Sequence, residues 1–198
     1  MDILRDKKVL IFELDDVLIP KKDYDLQVYY LFAHFIEYLE SFPPANDVIE
    51  FMNKRYVLFG EENMFEEVAK TFGINSKYKE NLALLFESAK LPLKLLLFKE
   101  ALSILQDLVL DRKQIIILTA GNPKQQLNKI TQTEWNGMDQ YLKVYFEDEF
   151  EIGKALETII FEYSLPKNEI LFIGKNEFHR VKAIESGFEY INLDQITI

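Results

Sequence analysis

The chain has 198 residues, no cysteine and a formal net charge of −10, and 48% of its residues are hydrophobic. This hydrophobic content predicts a packed core, and the length suits one domain of moderate size or a core with a smaller inserted module. The negative charge makes nucleic acid and anionic membranes poor partners, and the lack of cysteine excludes disulfides and thiolate metal sites. No apolar run approaches the roughly 20 residues that cross a bilayer, and the first residues do not resemble a signal peptide. We therefore expect a cytoplasmic protein.

The first predicted element is a strand over residues 9–12, an apolar run that leads directly into Glu13 and Asp15. Residues 24–90 carry apolar side chains at spacings of three and four, which predicts a series of helices. From residue 91 the chain alternates between predicted strands and predicted helices. The later predicted strands lie at 115–118, 144–146, 170–173 and 190–191, and helices precede or separate them.

This alternation predicts an α/β protein with a parallel sheet covered by helices on both faces. We expect a three-layer α/β/α, Rossmann-like core formed by residues 1–20 and 91–198. Residues 21–90 would form an inserted helical domain.

In a parallel sheet of this kind, ligands bind outside the carboxyl ends of the strands. The polar residues that follow the predicted strands are therefore the candidates for a site. A hydroxyl, carboxylates and ammonium groups at one edge are typical of an anion or phosphate site. The candidates are Glu13, Asp15, Thr119, Lys154, Lys175 and the acids Glu147, Asp148 and Glu149.

Four segments together resemble the motifs of the haloacid dehalogenase (HAD) superfamily of phosphohydrolases. Residues 12–18, FELDDVL, resemble its first motif, Asp-x-Asp-x-(Thr/Val)-Leu, and residues 118–123, LTAGNP, resemble its second, an apolar strand ending in Thr or Ser. Lys154 stands where the third motif has a lysine, and residues 173–179, IGKNEFH, align with the fourth, Gly-Asp-x-x-x-Asp. The helical stretch lies where capped members of the family carry their cap, so the resemblance implies a cap over 21–90.

The resemblance also implies roles. Glu13 would stand at the position of the nucleophile and Asp15 at that of the general acid and base. Thr119, Ala120 and Lys154 would hold the phosphoryl oxygens. In the family, the first-motif acids and the fourth-motif Asp bind Mg²⁺.

Glu13, Lys175 and His179 depart from the family's pattern, which has Asp at all three positions. An ammonium cannot bind Mg²⁺, so we expect no metal, and we expect the Lys175 ammonium to pair with Glu13 or Asp15 instead. His179 is predicted to be a surface or capping residue. The acids at 147–149 are predicted to form a solvated loop, with replacement metal ligands as the alternative.

Three functions follow. The first is a HAD-fold protein with a degenerate site, a weak or inactive phosphatase that binds a small phosphate-bearing ligand or a protein partner. The second is an active but atypical phosphohydrolase that uses Glu13 and Asp15, for which Mg²⁺ would be required. The third is a reaction such as dehalogenation, which in the family also needs an Asp at position 13.

Overall fold

A computed structural model describes residues 2–147 and 152–196. Its strands are β1 (Val9–Phe12), β2 (Leu95–Leu96), β3 (Gln114–Ala120), β4 (Thr133–Glu134), β5 (Leu142–Glu147), β6 (Ile170–Ile173) and β7 (Glu189–Ile191). Its α-helices are α1 (Asp2–Arg5), α2 (Lys21–Glu40), α3 (Ala45–Phe59), α4 (Met64–Phe72), α5 (Lys79–Ser88), α6 (Lys99–Leu110), α7 (Pro123–Gln132), α8 (Ile152–Tyr163) and α9 (Glu177–Glu185). No helix of the described ranges has both the length and the apolar content needed to cross a bilayer.

Five strands form a parallel sheet in the order β5-β3-β1-β6-β7, which confirms the predicted α/β fold. Strand β1 lies at the centre, and Phe12 at its end is in register with Ile117 of β3 and Ile173 of β6. The residues that follow β1, β3 and β6 therefore emerge at the same edge of the sheet. This register places the segment after Phe12 between the ends of its two neighbours.

Both faces of the sheet are buried. On one face, alternate residues of the central strands pack against helices α8 and α9, with Val9, Ile11, Ile116 and Phe172 in contact with Leu156, Ile159 and Ala183. The residues of β1 that point the other way, Leu10 and Phe12, are also fully buried, and helix α6 packs against β3. Complete burial explains why these strands read as continuous apolar runs rather than as alternating ones.

The chain forms two compact units. The first is the α/β unit, which comprises 1–20, 96–126 and 133–198, and the second is the helical unit, which comprises 21–95 and 127–132. The division differs from the predicted boundaries at 91–95 and 127–132. The second half of α7 belongs to the helical unit because Asn128 and Gln132 donate hydrogen bonds to the carbonyl of Ala89, at 3.1 and 2.6 Å. That the helical unit serves as a cap stays a prediction.

Charged groups are buried inside the helical unit. Asp25 is fully buried and accepts hydrogen bonds from the Lys21 ammonium at 2.7 Å and from the Tyr56 phenol at 2.8 Å. Lys129 is also fully buried, with its ammonium 5.2 Å from the centre of the Tyr24 ring. Since buried charges are costly unless they are paired, these contacts are required for the packing of α2, α3 and α7.

Candidate functional site

Glu13 follows the central strand and is held by four hydrogen-bond donors. Its own backbone N–H donates to the carbonyl of Ile173 at 3.1 Å, which extends the pairing of β1 with β6 by one residue. The residue is only 6% exposed, although it lies at the edge of the sheet where ligands would bind. A buried carboxylate needs compensating hydrogen bonds, and two groups of contacts supply them to Glu13.

The first group lies at the start of helix α9. The backbone N–H groups of Lys175 and Asn176 both donate to Glu13 Oε2, at 2.9 and 3.1 Å. Asn176 then caps the helix, because its side-chain oxygen accepts from the N–H groups of Phe178 and His179. A carboxylate at a helix N-terminus is stabilised by the free amides and by the helix dipole. The Glu13 carboxylate therefore occupies the anion-binding position at the N-terminus of α9.

The second group holds the other carboxylate oxygen. His179 Nδ1 lies 2.9 Å from Glu13 Oε1, and the Tyr190 hydroxyl lies 3.0 Å from the same oxygen. Because an ionised carboxylate only accepts hydrogen bonds, His179 must carry its proton on Nδ1. The Tyr190 hydroxyl is also 3.1 Å from the Asn176 carbonyl, but the charged oxygen is the stronger acceptor for its one hydrogen. Burial and the charge of Glu13 raise the pKa of Tyr190, which keeps the phenol protonated.

Gly174 makes room for this arrangement. A Cβ at this position would lie 2.3 Å from Glu13 Oε1 and 2.3 Å from the Tyr190 hydroxyl oxygen. Both distances are far below van der Waals contact, so no other residue fits without displacing Glu13 or Tyr190. We call the group formed by Glu13, Gly174, His179, Tyr190 and the two amides after Gly174 the Glu13 cradle.

The predicted ion pair of Lys175 is wrong. It is the backbone N–H of Lys175 that contacts Glu13, whereas its side chain is exposed and its ammonium lies 5.9 Å from the centre of the Phe98 ring. Among the described residues, neither Glu13 nor Asp15 forms an ion pair with this ammonium. The physical reason is that the donors of the cradle already fill the hydrogen-bonding positions of the Glu13 carboxylate. Pairing with Glu13 would therefore cost the Lys175 ammonium its hydration without a compensating gain.

The prediction that His179 is a surface or capping residue is also wrong. Its side chain is 5% exposed and faces the sheet, with its ring 6.2 Å from that of Phe172. The large apolar residues of the same helix, Phe178, Val181 and Ile184, are the ones that lie on the exposed side. The spacing of the apolar residues in α9 predicts the wrong buried face, because the hydrogen bond to Glu13 turns the polar His179 toward the core.

Asp15 lies in a tight loop after β1. The N–H of Asp16 donates to the carbonyl of Ile19 at 2.7 Å, so the loop folds back on itself. Asp15 is half-buried, and its Oδ2 lies 3.4 Å from Nε2 of Gln126 on helix α7. The sequence predicts Gln126 only as part of a helix and gives no sign of this contact.

Of the remaining candidates, Thr119, Ala120 and Glu147 lie at strand ends. Thr119 and Ala120 end β3, and the Thr119 side chain is buried. Lys154 lies in the first turn of α8 with an exposed side chain. Glu147, predicted as part of a solvated loop, is instead 7% exposed, and its Oε1 lies 3.5 Å from the N–H of Ala155. Asp148 and Glu149 lie outside the described residues.

The magnesium ion implied by the resemblance does not fit these residues. A carboxylate has about four hydrogen-bonding positions, and all four on Glu13 are taken by donors of the cradle. A metal at Glu13 would have to displace two backbone amides or the His179 and Tyr190 donors. The position of the fourth-motif acid carries the Lys175 ammonium, which repels a cation. No three acidic, histidine or cysteine side chains in the described ranges are arranged to hold a metal.

Comparison with known proteins shows which known structures share this fold. No protein-family model matches the sequence, and no curated protein matches it significantly. Among solved structures, the chain is similar to a HAD hydrolase, family IA, variant 3, from Entamoeba histolytica, with a TM-score of 0.57 and 13% identity over 96% of this chain and 86% of that one. It is also similar to a haloacid dehalogenase-like hydrolase from Xanthomonas campestris, with a TM-score of 0.55 and 13% identity over 96% and 84% of the two chains.

A third similar structure is the L-2-haloacid dehalogenase of Xanthobacter autotrophicus with chloropropionic acid covalently bound. Its TM-score is 0.51, with 14% identity over 96% of this chain and 79% of that one. Identities this low show the fold and leave the chemistry to the residues of this chain.

Proposed function

We propose that this chain, which has the haloacid dehalogenase-like fold, is a weak or inactive phosphatase that binds a small phosphate-bearing ligand. One observation carries the proposal: the Glu13 carboxylate accepts four hydrogen bonds from its own protein. A nucleophile needs a free oxygen in line with the atom that it attacks, and misplacement by about 1 Å costs on the order of a hundredfold in rate. Attack by Glu13 would require that the cradle be broken first.

The same observation counts against dehalogenation. That reaction also needs a carboxylate oxygen that is free to attack, in this case at carbon. The cradle holds the Glu13 oxygens whatever the electrophile is.

Binding of a phosphate-bearing ligand is supported by the polar groups that follow strands β3 and β5. Thr119 and Ala120 lie at the end of β3, and Lys154 lies in the first turn of α8, the helix that follows β5. A hydroxyl and an ammonium are groups that hold phosphoryl oxygens. The other possible ligand is a protein partner, which a binding screen would distinguish from a small molecule. A cytoplasmic location stays a prediction from the sequence.

The alternative is the atypical phosphohydrolase that uses Glu13 and Asp15. The observation in its favour is that Asp15 keeps the residue type of the family and is half-buried rather than enclosed. This alternative requires turnover that depends on Asp15.

A phosphatase assay separates the two. Hydrolysis of p-nitrophenyl phosphate should be measured with and without Mg²⁺ for the wild type, for Glu13→Asp/Lys175→Asp and for Asp15→Asn. We expect the wild type to be inert in both conditions and the double variant to gain Mg²⁺-dependent turnover. Substantial wild-type turnover that Asp15→Asn abolishes would overturn the proposal and support the alternative.

A further inference from the structure

The carboxamide of Gln126 contains a buried acceptor that the fold does not satisfy. The side chain is 6% exposed, and no described residue donates a hydrogen bond to its Oε1. Leaving such a group unsatisfied costs about 1–3 kcal/mol, so an oxygen in this position calls for a donor.

The orientation of the carboxamide is fixed by Asp15. An amide that lies 3.4 Å from the Asp15 carboxylate must turn its N–H₂ group toward it, because an oxygen there would be repelled. The nitrogen is also beside the turn after β3, since a Cβ on Gly121 would lie 3.8 Å from it. Gln126 therefore lies at the sheet edge that carries Asp15 and Thr119, within the α/β unit.

We infer that Gln126 and Asp15 together recognise the organic part of the ligand, and that this part carries a hydroxyl or ammonium group. The inference rests on the proposed function and adds the class of ligand to it. A carboxylate and a carbonyl oxygen attract hydrogen-bond donors and repel a bare phosphate group. The phosphate of the ligand would therefore lie on the Thr119 side and its donor group on the Gln126 side.

Matched pairs of probes test the inference. Calorimetric titration should compare glycerol 3-phosphate with propyl phosphate, and phosphoethanolamine with ethyl phosphate, because each pair differs only in the donor groups. We expect the wild type to prefer the donor-bearing member by about tenfold, the value of one well-formed hydrogen bond. Gln126→Met, which removes the acceptor at similar size, should abolish the preference.

Gln125 is the matched control, since it is the same residue type one position earlier on α7 and its half-buried side chain makes no such contact with any described residue. Gln125→Met should keep the preference of the wild type. If Gln126→Met does not fold, the side-chain amide resonances of Gln126 in the wild type give a second readout. They should shift with glycerol 3-phosphate and stay unchanged with propyl phosphate.

The outcomes separate this inference from the proposed function. Binding of the probes without a preference, or a preference that survives Gln126→Met, would overturn the inference and leave the proposed function intact. No binding of any probe would overturn the proposed small-ligand function, and the inference would fall with it.

Discussion

At the scale of the residue, one methylene group separates Glu13 from the aspartate of the resembled motif. The charge is the same, but the carboxylate reaches about 1.5 Å further from the backbone. In this chain that reach brings it to the amides of Lys175 and Asn176 at the start of α9. A substitution that conserves charge thus changes what the carboxylate contacts, and with it the role that the residue can play.

The phenol of Tyr190 gives the cradle a pH dependence. Its pKa is raised in the folded chain, whereas in the unfolded chain it ionises near its ordinary value of about 10. The unfolded chain therefore loses this proton first, and stability falls as the pH rises through about 10. We expect urea denaturation at a series of pH values to show a shallower alkaline loss for Tyr190→Phe than for the wild type.

Other buried tyrosines, such as Tyr56, have raised pKa values too, so Tyr190→Phe should reduce the alkaline loss without removing it. Tyr38→Phe is the control, because that side chain is 85% exposed. Its alkaline loss should equal that of the wild type. An equal loss for Tyr190→Phe would mean that the phenol is not held by Glu13.

At the scale of the element, the junction between β6 and α9 builds the site. Gly174 ends the strand segment, the next two residues present their amides, and Asn176 caps the helix. The first turn of α9 then places His179 against the sheet. Strand β7 contributes Tyr190 from the other side, so three consecutive elements converge on one carboxylate.

Gly174→Ala should disrupt this junction. The added methyl group would lie 2.3 Å from both Glu13 and Tyr190, and overpacking of this kind costs about 1–3 kcal/mol or more. We expect a loss in that range in the free energy of unfolding from urea denaturation. Gly153→Ala in helix α8 is the matched control, because within the described ranges no atom beyond its own helix lies within 4 Å of the methyl position.

The control variant should be as stable as the wild type or more stable, since alanine favours a helix by up to about 1 kcal/mol over glycine. Equal stability of the two alanine variants would show that the close approach at Gly174 is not required.

The sequence predicts these elements better than it predicts their contacts. Buried strands such as residues 9–12 and 170–173 are evident because complete burial demands continuous apolar runs. The inward position of His179 is missed because its cause is a hydrogen bond to Glu13, 166 positions away. Gln126 is missed for the same reason, since its partner Asp15 is 111 positions away. Local patterns cannot show which distant group will turn a polar side chain toward the core.

At the scale of the whole molecule, the fold does not depend on the residues that depart from the resembled motifs. The parallel sheet, its order and its crossovers depend on apolar runs that the altered residues do not interrupt. Fold and function are separable in this way because function resides in a few side chains at the strand ends. The cradle goes further, since it makes the position of the first-motif acid part of the packing.

The stability of Glu13→Met tests most directly whether Glu13 serves the fold. Methionine has a similar size but accepts no strong hydrogen bond, so the two amides and the His179 and Tyr190 donors would lose their partner. We expect urea denaturation to show a loss of about 3 kcal/mol in the free energy of unfolding, because several buried donors would be unsatisfied. Glu177→Met, at an exposed carboxylate on α9, should cost far less, because only an exposed ion pair with Arg180 and a solvent-screened dipole interaction are lost. A carboxylate kept for catalysis would behave differently, since its removal is often neutral or stabilising. A Glu13→Met variant as stable as the wild type or more stable would contradict the account.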